Sequence, residues 1–183
     1  MSKTFEHFLN RSLAHIVRFS NEPQHFPESV AEHSFYVTYF VCVLCHFLKK
    51  AGEDIDENKA IKIALVHDAE ESFSGDIIGP FKHYNDEVLE AIKKVNEETI
   101  EEVFENLPKD LSQEFVSLWK EDAAQETKEA QVVKVADKLS LISKSYEEIK
   151  GGNEYFKETY EKEMKKLESL DYSWWQKIKA EIL

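Results

Sequence analysis

Pro27-Glu28-Ser29-Val30-Ala31-Glu32-His33-Ser34 opens the stretch that decides the fold, and Phe35–Leu48 completes it. Ser29 can accept from the backbone three residues on, and Glu32 can reach back to it, the reciprocal pairing that starts a helix. The apolar run that follows is 14 residues long, broken by Thr38 and His46. That is too short for a membrane span and reads as a buried helix. Helical spacing recurs further along, at Ile61 and Leu65 and at Val132, Val135 and Leu139. Five Gly and four Pro among 183 residues leave few breaks. They fall at Asn21–Pro27, Ala51–Asp56, Gly75–Pro80, Asn106–Asp110 and Gly151–Asn153. Helices are therefore expected near Phe5–Ser20, Ser29–Lys50, Asp56–Ser72, Asp86–Glu105, Leu111–Glu121, Lys128–Lys150, Glu154–Ser169 and Tyr172–Leu183. No segment reads as a strand. The expected fold is one all-α domain spanning residues 1–183.

Charge narrows the function. The chain has 23 Lys+Arg against 36 Asp+Glu, a net charge of −13. A general nucleic-acid or anionic-membrane binder needs a basic face, so neither partner is expected. An acidic balance suits a cytoplasmic protein and is compatible with a cation site. Cys42 and Cys45 lie three apart in a helical stretch and would staple little as a disulfide. Cys42-Val43-Leu44-Cys45-His46 matches a haem-attachment pattern, yet it sits in the longest apolar helix, where such cysteines are core residues. Trp119, Trp174 and Trp175 have no basic groove beside them and read as packing or dimer-contact residues.

The chemistry concentrates in Val66-His67-Asp68-Ala69-Glu70-Glu71-Ser72-Phe73-Ser74-Gly75-Asp76. His67 offers a neutral imidazole nitrogen and Asp68 a hard anionic oxygen, a pair suited to a divalent ion such as Mn²⁺, Co²⁺, Fe²⁺, Zn²⁺ or Mg²⁺. Glu71 follows His67 by four residues and Asp68 by three, so it shares their face. Two readings stand: a metal site, or a solvated helix end. Acids at a helix C-terminus oppose the macrodipole, and a bound cation would compensate them. Two more residues bear on the choice. His33 sits near the start of the long apolar helix. Asp137 lies in Val135-Ala136-Asp137-Lys138-Leu139, where a buried carboxylate needs a partner. Each has an ordinary alternative, His33 as a core histidine and Asp137 as a partner of Lys134 or Lys138.

Taken in order, His33, then His67-Asp68, then Asp137 resembles the HD-domain metal phosphohydrolases. Ser29-Val30-Ala31-Glu32-His33-Ser34, His67-Asp68-Ala69-Glu70-Glu71, Ser74-Gly75-Asp76-Ile77, Pro80-Phe81-Lys82, Val133–Leu139 and Tyr146-Glu147-Glu148 resemble its YfbR-like 5′-deoxynucleotidase branch. The likeness covers roughly residues 8–165. It implies an all-α HD-domain bundle with one divalent metal held by His33, His67, Asp68 and Asp137. It implies Glu71 as catalytic acid/base and Asp76 as a residue that contacts the sugar hydroxyl and helps hold the site. It also matches Arg18-Phe19 to an Arg–aromatic pair meeting phosphate and nucleoside, with Phe19 where the well-known bacterial form has Trp. Arg11 and Arg18 are the only arginines beside 21 lysines, and the guanidinium fork suits phosphate. Lys82 could add charge at the pocket mouth or be a solvated loop lysine.

The resemblance implies hydrolysis of deoxyribonucleoside 5′-monophosphates by a homodimer. One alternative is an HD hydrolase of nucleoside triphosphates or another phosphate ester. A triphosphate pocket should recruit several more basic residues than this chain's arginines supply. The other is a non-catalytic nucleotide-binding module, in which Glu71 would have no proton to handle.

Overall fold

Helix α2 (Val30–Lys50) is the spine of the structure, a computed structural model that describes residues 1–183. Ser29 Oγ accepts from the Glu32 N–H and Glu32 Oε2 accepts from the Ser29 N–H, completing the expected capping box. Val30, His33, Val37, Val41, Leu44 and Leu48 fall at steps of three and four, and all are buried. Full burial of a side chain such as Leu44 contributes about 1.5–3 kcal/mol. Two further helices complete the centre, α3 (Glu57–Val66) and α8 (Lys128–Lys150), both packed on α2. Ile63 and Ala64 from α3 meet Val132, Val133, Val135 and Ala136 from α8 in one core.

The remaining helices wrap this trio. They are α1 (Lys3–Leu9), α4 (Glu71–Ser74), α5 (Gly79–Lys82), α6 (Asp86–Val103), α7 (Lys109–Ala124), α9 (Lys157–Ser169) and α10 (Ser173–Ile182). Helix α7 packs on α3 and α8, and α9 lies along α8. Trp119, Trp174 and Trp175 are all buried, so they are packing residues. Cys45 is buried and Cys42 partly so, both as free thiols. Helix α2 has the length and composition to cross a membrane, but its regularly spaced buried residues make it the core helix here.

Four expectations need correction. No helix runs from Phe5 to Ser20. Helix α1 stops at Leu9, where Asn10 turns its side chain onto the Ser12 N–H at 3.0 Å. A 3₁₀ turn covers Ser12–Ala14, and Val17 then pairs with Ser29 in an isolated antiparallel bridge. The helix expected over Asp56–Ser72 ends at Val66; residues 67–70 form turns before α4. Gly75, at φ 72°, takes a left-handed backbone that closes α4, and only then does α5 begin, inside the expected break. Glu154–Phe156 is a 3₁₀ turn ahead of α9. By contrast, α8 has the expected bounds.

Candidate active site

The central helices bring the expected residues to one point. His33 projects from the first turn of α2, Asp137 from the middle of α8, and His67-Asp68 from the turn where α3 ends. That turn is closed by Ala69 N–H to Val66 O at 3.0 Å and Glu71 N–H to Asp68 O at 3.2 Å. The early stop of α3 thus lets His67 and Asp68 converge.

His33 Nε2 and His67 Nε2 lie 3.3 Å apart. Asp68 Oδ2 stands 3.4 Å from the first and 3.1 Å from the second, and Asp137 Oδ1 is 3.4 Å from His33 Nε2. The donor atoms of His33, His67 and Asp68 all fall within 4.8 Å of one another. Ligands bonded to one ion at about 2.1 Å are separated by similar spans, so this donor set fits a divalent metal. The outer contacts fit as well. His67 Nδ1 lies 2.8 Å from Ala64 O, so its N–H donates there and Nε2 is the nitrogen left to face an ion. His33 Nδ1 lies 3.1 Å from Ser140 Oγ.

Carboxylates outnumber cations around this point, and burial among them shifts the titratable groups in both directions. Burial opposes a charged His67, but Asp68 and Asp137 outweigh it and raise His67 to about 10. Burial would lift Asp68, yet His67 and His33 hold it well below the usual carboxylate range. Burial, then Asp68, Asp76 and Glu70, push Glu71 up to about 9. Burial and Asp68 lift Glu70 to about 7, and burial lifts Asp122 to about 6 against the pull of His67 and Lys134. A divalent cation would answer the same excess of negative charge. Glu71 Oε2 is buried without a hydrogen-bond partner, an unsatisfied polar atom three residues beyond Asp68.

Arg18 reaches the other side of His33. Its Nη1 donates to Glu28 Oε2 at 2.7 Å and lies 2.7 Å from His33 Nδ1. Phe19 has φ 53°, a strained backbone for a residue with a side chain. Its N–H donates to Asp76 Oδ2 at 3.0 Å. The Arg18 guanidinium stacks over the Phe19 ring, 5.1 Å from its centroid. Arg18, Phe19, Asp76 and His33 are thereby joined. Lys82, in the last turn of α5, stands apart from Arg18 as part of the wall of an 850 Å³ cavity. His67, Asp68 and Asp137 open onto that cavity, and Trp119, Asp122 and Lys134 help line it.

Ser140, and the bond that Trp119 makes here, were not anticipated from the sequence. Ser140 lies one turn beyond Asp137 on α8, and that i+3 spacing was the available signal. Trp119 Nε1 donates to Glu70 Oε2 at 2.7 Å across 49 positions, which no local pattern announces. Lys134 donates to Asp137 Oδ2 at 3.0 Å, the pairing weighed for Asp137, while Asp137 also faces His33.

The same architecture occurs in solved proteins. A Pyrococcus horikoshii protein superposes with a TM-score of 0.80 at 28% identity, covering 96% of this chain and 94% of its own. An HD-domain phosphohydrolase from Listeria innocua superposes with a TM-score of 0.75 at 28% identity, over 87% of this chain and 77% of its own. Fold and donor set together define an HD-domain, metal-dependent phosphohydrolase. Residues 4–180 match the family model described as 5′-deoxynucleotidase YfbR-like, and the chain belongs to that family. A 5′-deoxynucleotidase of Vibrio parahaemolyticus is 30% identical over 131 residues, 71% of this chain and 67% of the relative.

Proposed function

We propose that this protein hydrolyses deoxyribonucleoside 5′-monophosphates to deoxynucleoside and phosphate, using one divalent metal. The observation that carries the reading is the meeting of two histidine Nε2 atoms, 3.3 Å apart, with the Asp68 and Asp137 carboxylates, while Arg18 stands at the outer edge of His33. His33, His67, Asp68 and Asp137 would hold the ion. A bound divalent ion would lower the pKa of a water and polarise a phosphoryl oxygen.

The chain's own groups do the rest. Arg18 offers a planar donor fork for the phosphate. In hydrolysis a P–O bond to water forms and the P–O5′ bond breaks. Glu71, half-buried next to the His67-Asp68 turn with its Oε2 enclosed and unpartnered, handles the proton that reaches O5′. Phe19 packs against the nucleoside, Asp76 addresses the sugar hydroxyl while bracing the Phe19 backbone, and Lys82 adds charge at the cavity wall. A monophosphate needs one strong cationic group besides the metal, which Arg18 supplies.

We infer a homodimer as the working form. Phe35, Tyr36 and Tyr39 stand exposed on α2. Near them a 340 Å³ apolar groove is lined by Phe40, Val43, Tyr146 and Tyr160. Light scattering across concentration reads the mass. The acidic balance of the chain supports a small-molecule partner rather than nucleic acid or a membrane surface, and a cytoplasmic setting.

The discriminating experiment is Glu71→Gln. Turnover of dAMP is expected to fall by about 10²–10⁴-fold with metal content and dAMP binding retained. Full turnover in that variant would remove Glu71 from the chemistry, and loss of metal together with fold would make its role structural.

A further inference from the structure

The segment between Phe19 and Pro27 is tied to the far end of α8 by one buried carboxylate. Glu148 is fully buried. Its Oε1 accepts from the Phe26 N–H at 2.9 Å and from Lys144 Nζ at 2.5 Å. Its Oε2 accepts from the His25 N–H at 2.9 Å and from Asn153 Nδ2 at 2.8 Å. All four partners are donors, and two are consecutive backbone amides of the segment. Asn153 also donates to Pro23 O at 2.6 Å, and Lys144 to Phe26 O. Gly151 leaves room for the docked Phe26 ring, since a Cβ there would sit 2.5 Å from Phe26 Cε2.

The docked segment in turn holds the two residues at the candidate phosphate site. Gln24 Nε2 donates to Arg18 O at 2.7 Å and to Phe19 O at 3.2 Å. The Arg18 N–H donates to Glu28 O at 2.9 Å, closing the base of the segment. A second path runs through side chains. Lys144 Nζ lies 5.7 Å from the centroid of the Phe156 ring, whose centroid is 5.7 Å from that of Phe19 in an edge-on pair. Phe19 has a strained backbone, and such a conformation persists only where its surroundings over-determine it.

We propose that Glu148 is a positioning residue for the reaction: through residues 23–28 it fixes the strained Arg18-Phe19 corner that meets the nucleotide. It touches neither substrate nor metal. Glu148→Gln keeps the shape but turns one oxygen into a donor facing other donors, and leaves Lys144 without its counter-charge. The corner then loses its anchor while α2, α3 and α8 keep theirs. The inference rests on the proposed role of Arg18 for its kinetic half only.

Two readouts test it on the whole 183-residue chain. Amide hydrogen exchange without substrate should show at least 10-fold lower protection over residues 18–28 in Glu148→Gln, with α2 and the central turns of α8 unchanged. Phosphate release from dAMP should fall at least 10-fold in kcat/KM at unchanged metal content, but by a smaller factor when the same change is made on Arg18→Ala, where only the Phe19 half of the corner remains to be lost. Asn153→Ala, which removes one of the four donors, should move both readouts the same way to a smaller extent and serves if Glu148→Gln fails to fold. Unchanged protection over residues 18–28, or an equal fold loss in both backgrounds, would overturn the proposal. If Arg18→Ala retains full activity, the reading of Arg18 falls, and the exchange data alone then decide whether Glu148 holds the corner.

Discussion

Ser140→Ala removes one oxygen from the candidate metal centre without touching a ligand. In the structure, Ser140 is buried and its Oγ lies 3.1 Å from His33 Nδ1. When His33 Nε2 binds a metal as a neutral ring, the ring proton sits on Nδ1 and needs an acceptor. Arg18 Nη1, the other neighbour at 2.7 Å, can only donate. Ser140 Oγ is therefore the acceptor that tautomer requires, and Arg18 Nη1, a donor that cannot stay 2.7 Å from a protonated Nδ1, must then move off toward Glu28 or a bound phosphate. Losing such an outer partner costs about 10–100-fold in metal affinity, or about 1.4–2.7 kcal/mol. A chain of 183 residues has an unfolding entropy near 0.38 kcal/mol/K by the usual per-residue value. The rise in Tm on adding saturating metal to wild type should shrink by about 4–7 °C in Ser140→Ala at the same metal concentration. Competition with a fluorescent chelator gives the affinity directly, and thermal scans with and without EDTA give the shift. Equal metal affinity in the two proteins would refute the assignment of Ser140 as the partner of His33.

Two other predictions concern the frame around the site. Leu44 is 1% exposed at the centre of α2, and Leu44→Ala should cost about 2–5 kcal/mol, lowering Tm by about 5–13 °C without altering metal affinity. The Glu148 network sets an acid limit: burial would raise its carboxyl, but Lys144, the His25 and Phe26 amides and Asn153 hold it at about 2, against 4.5 normally. A depressed folded pKa contributes stability that is present above about pH 4.5 and lost as pH falls toward 2. Urea midpoints should therefore drop through that window in wild type and less steeply in Glu148→Gln; parallel acid slopes would show that Glu148 is not the source.

Much of this was legible in the sequence, for physical reasons that differ by element. The capping box at Ser29–Glu32 and the apolar spacing of α2 and α8 are local signals, and both helices formed where they indicated. His33, His67-Asp68 and Asp137 each had an ordinary reading taken singly, and it was their order along the chain, which resembles the HD-domain phosphohydrolases, that implied one ligand set. The start of the chain was not legible. Apolar residues between Phe5 and Phe19 fit helical spacing, but pairing of Val17 with Ser29 and of Arg18 with Glu28 and His33 overrides it. The end of α3 at Val66 was also hidden, because the turn at 67–70 serves convergence with α2 and α8 rather than local propensity. Ser140, Glu148 and the Glu70–Trp119 bond act across tens to more than a hundred positions, where spacing carries little information.

The central claim is a metal-dependent phosphomonoesterase built on His33, His67, Asp68 and Asp137. Phosphate release from dAMP, AMP and dATP, first with EDTA and then with added Co²⁺, Mn²⁺ or Mg²⁺, tests it most directly. The account predicts metal-dependent release from dAMP, less from AMP and none from dATP, with His67→Ala and Asp68→Ala inactive. Undiminished release from dAMP by metal-depleted protein, or full activity in those two variants, would contradict it.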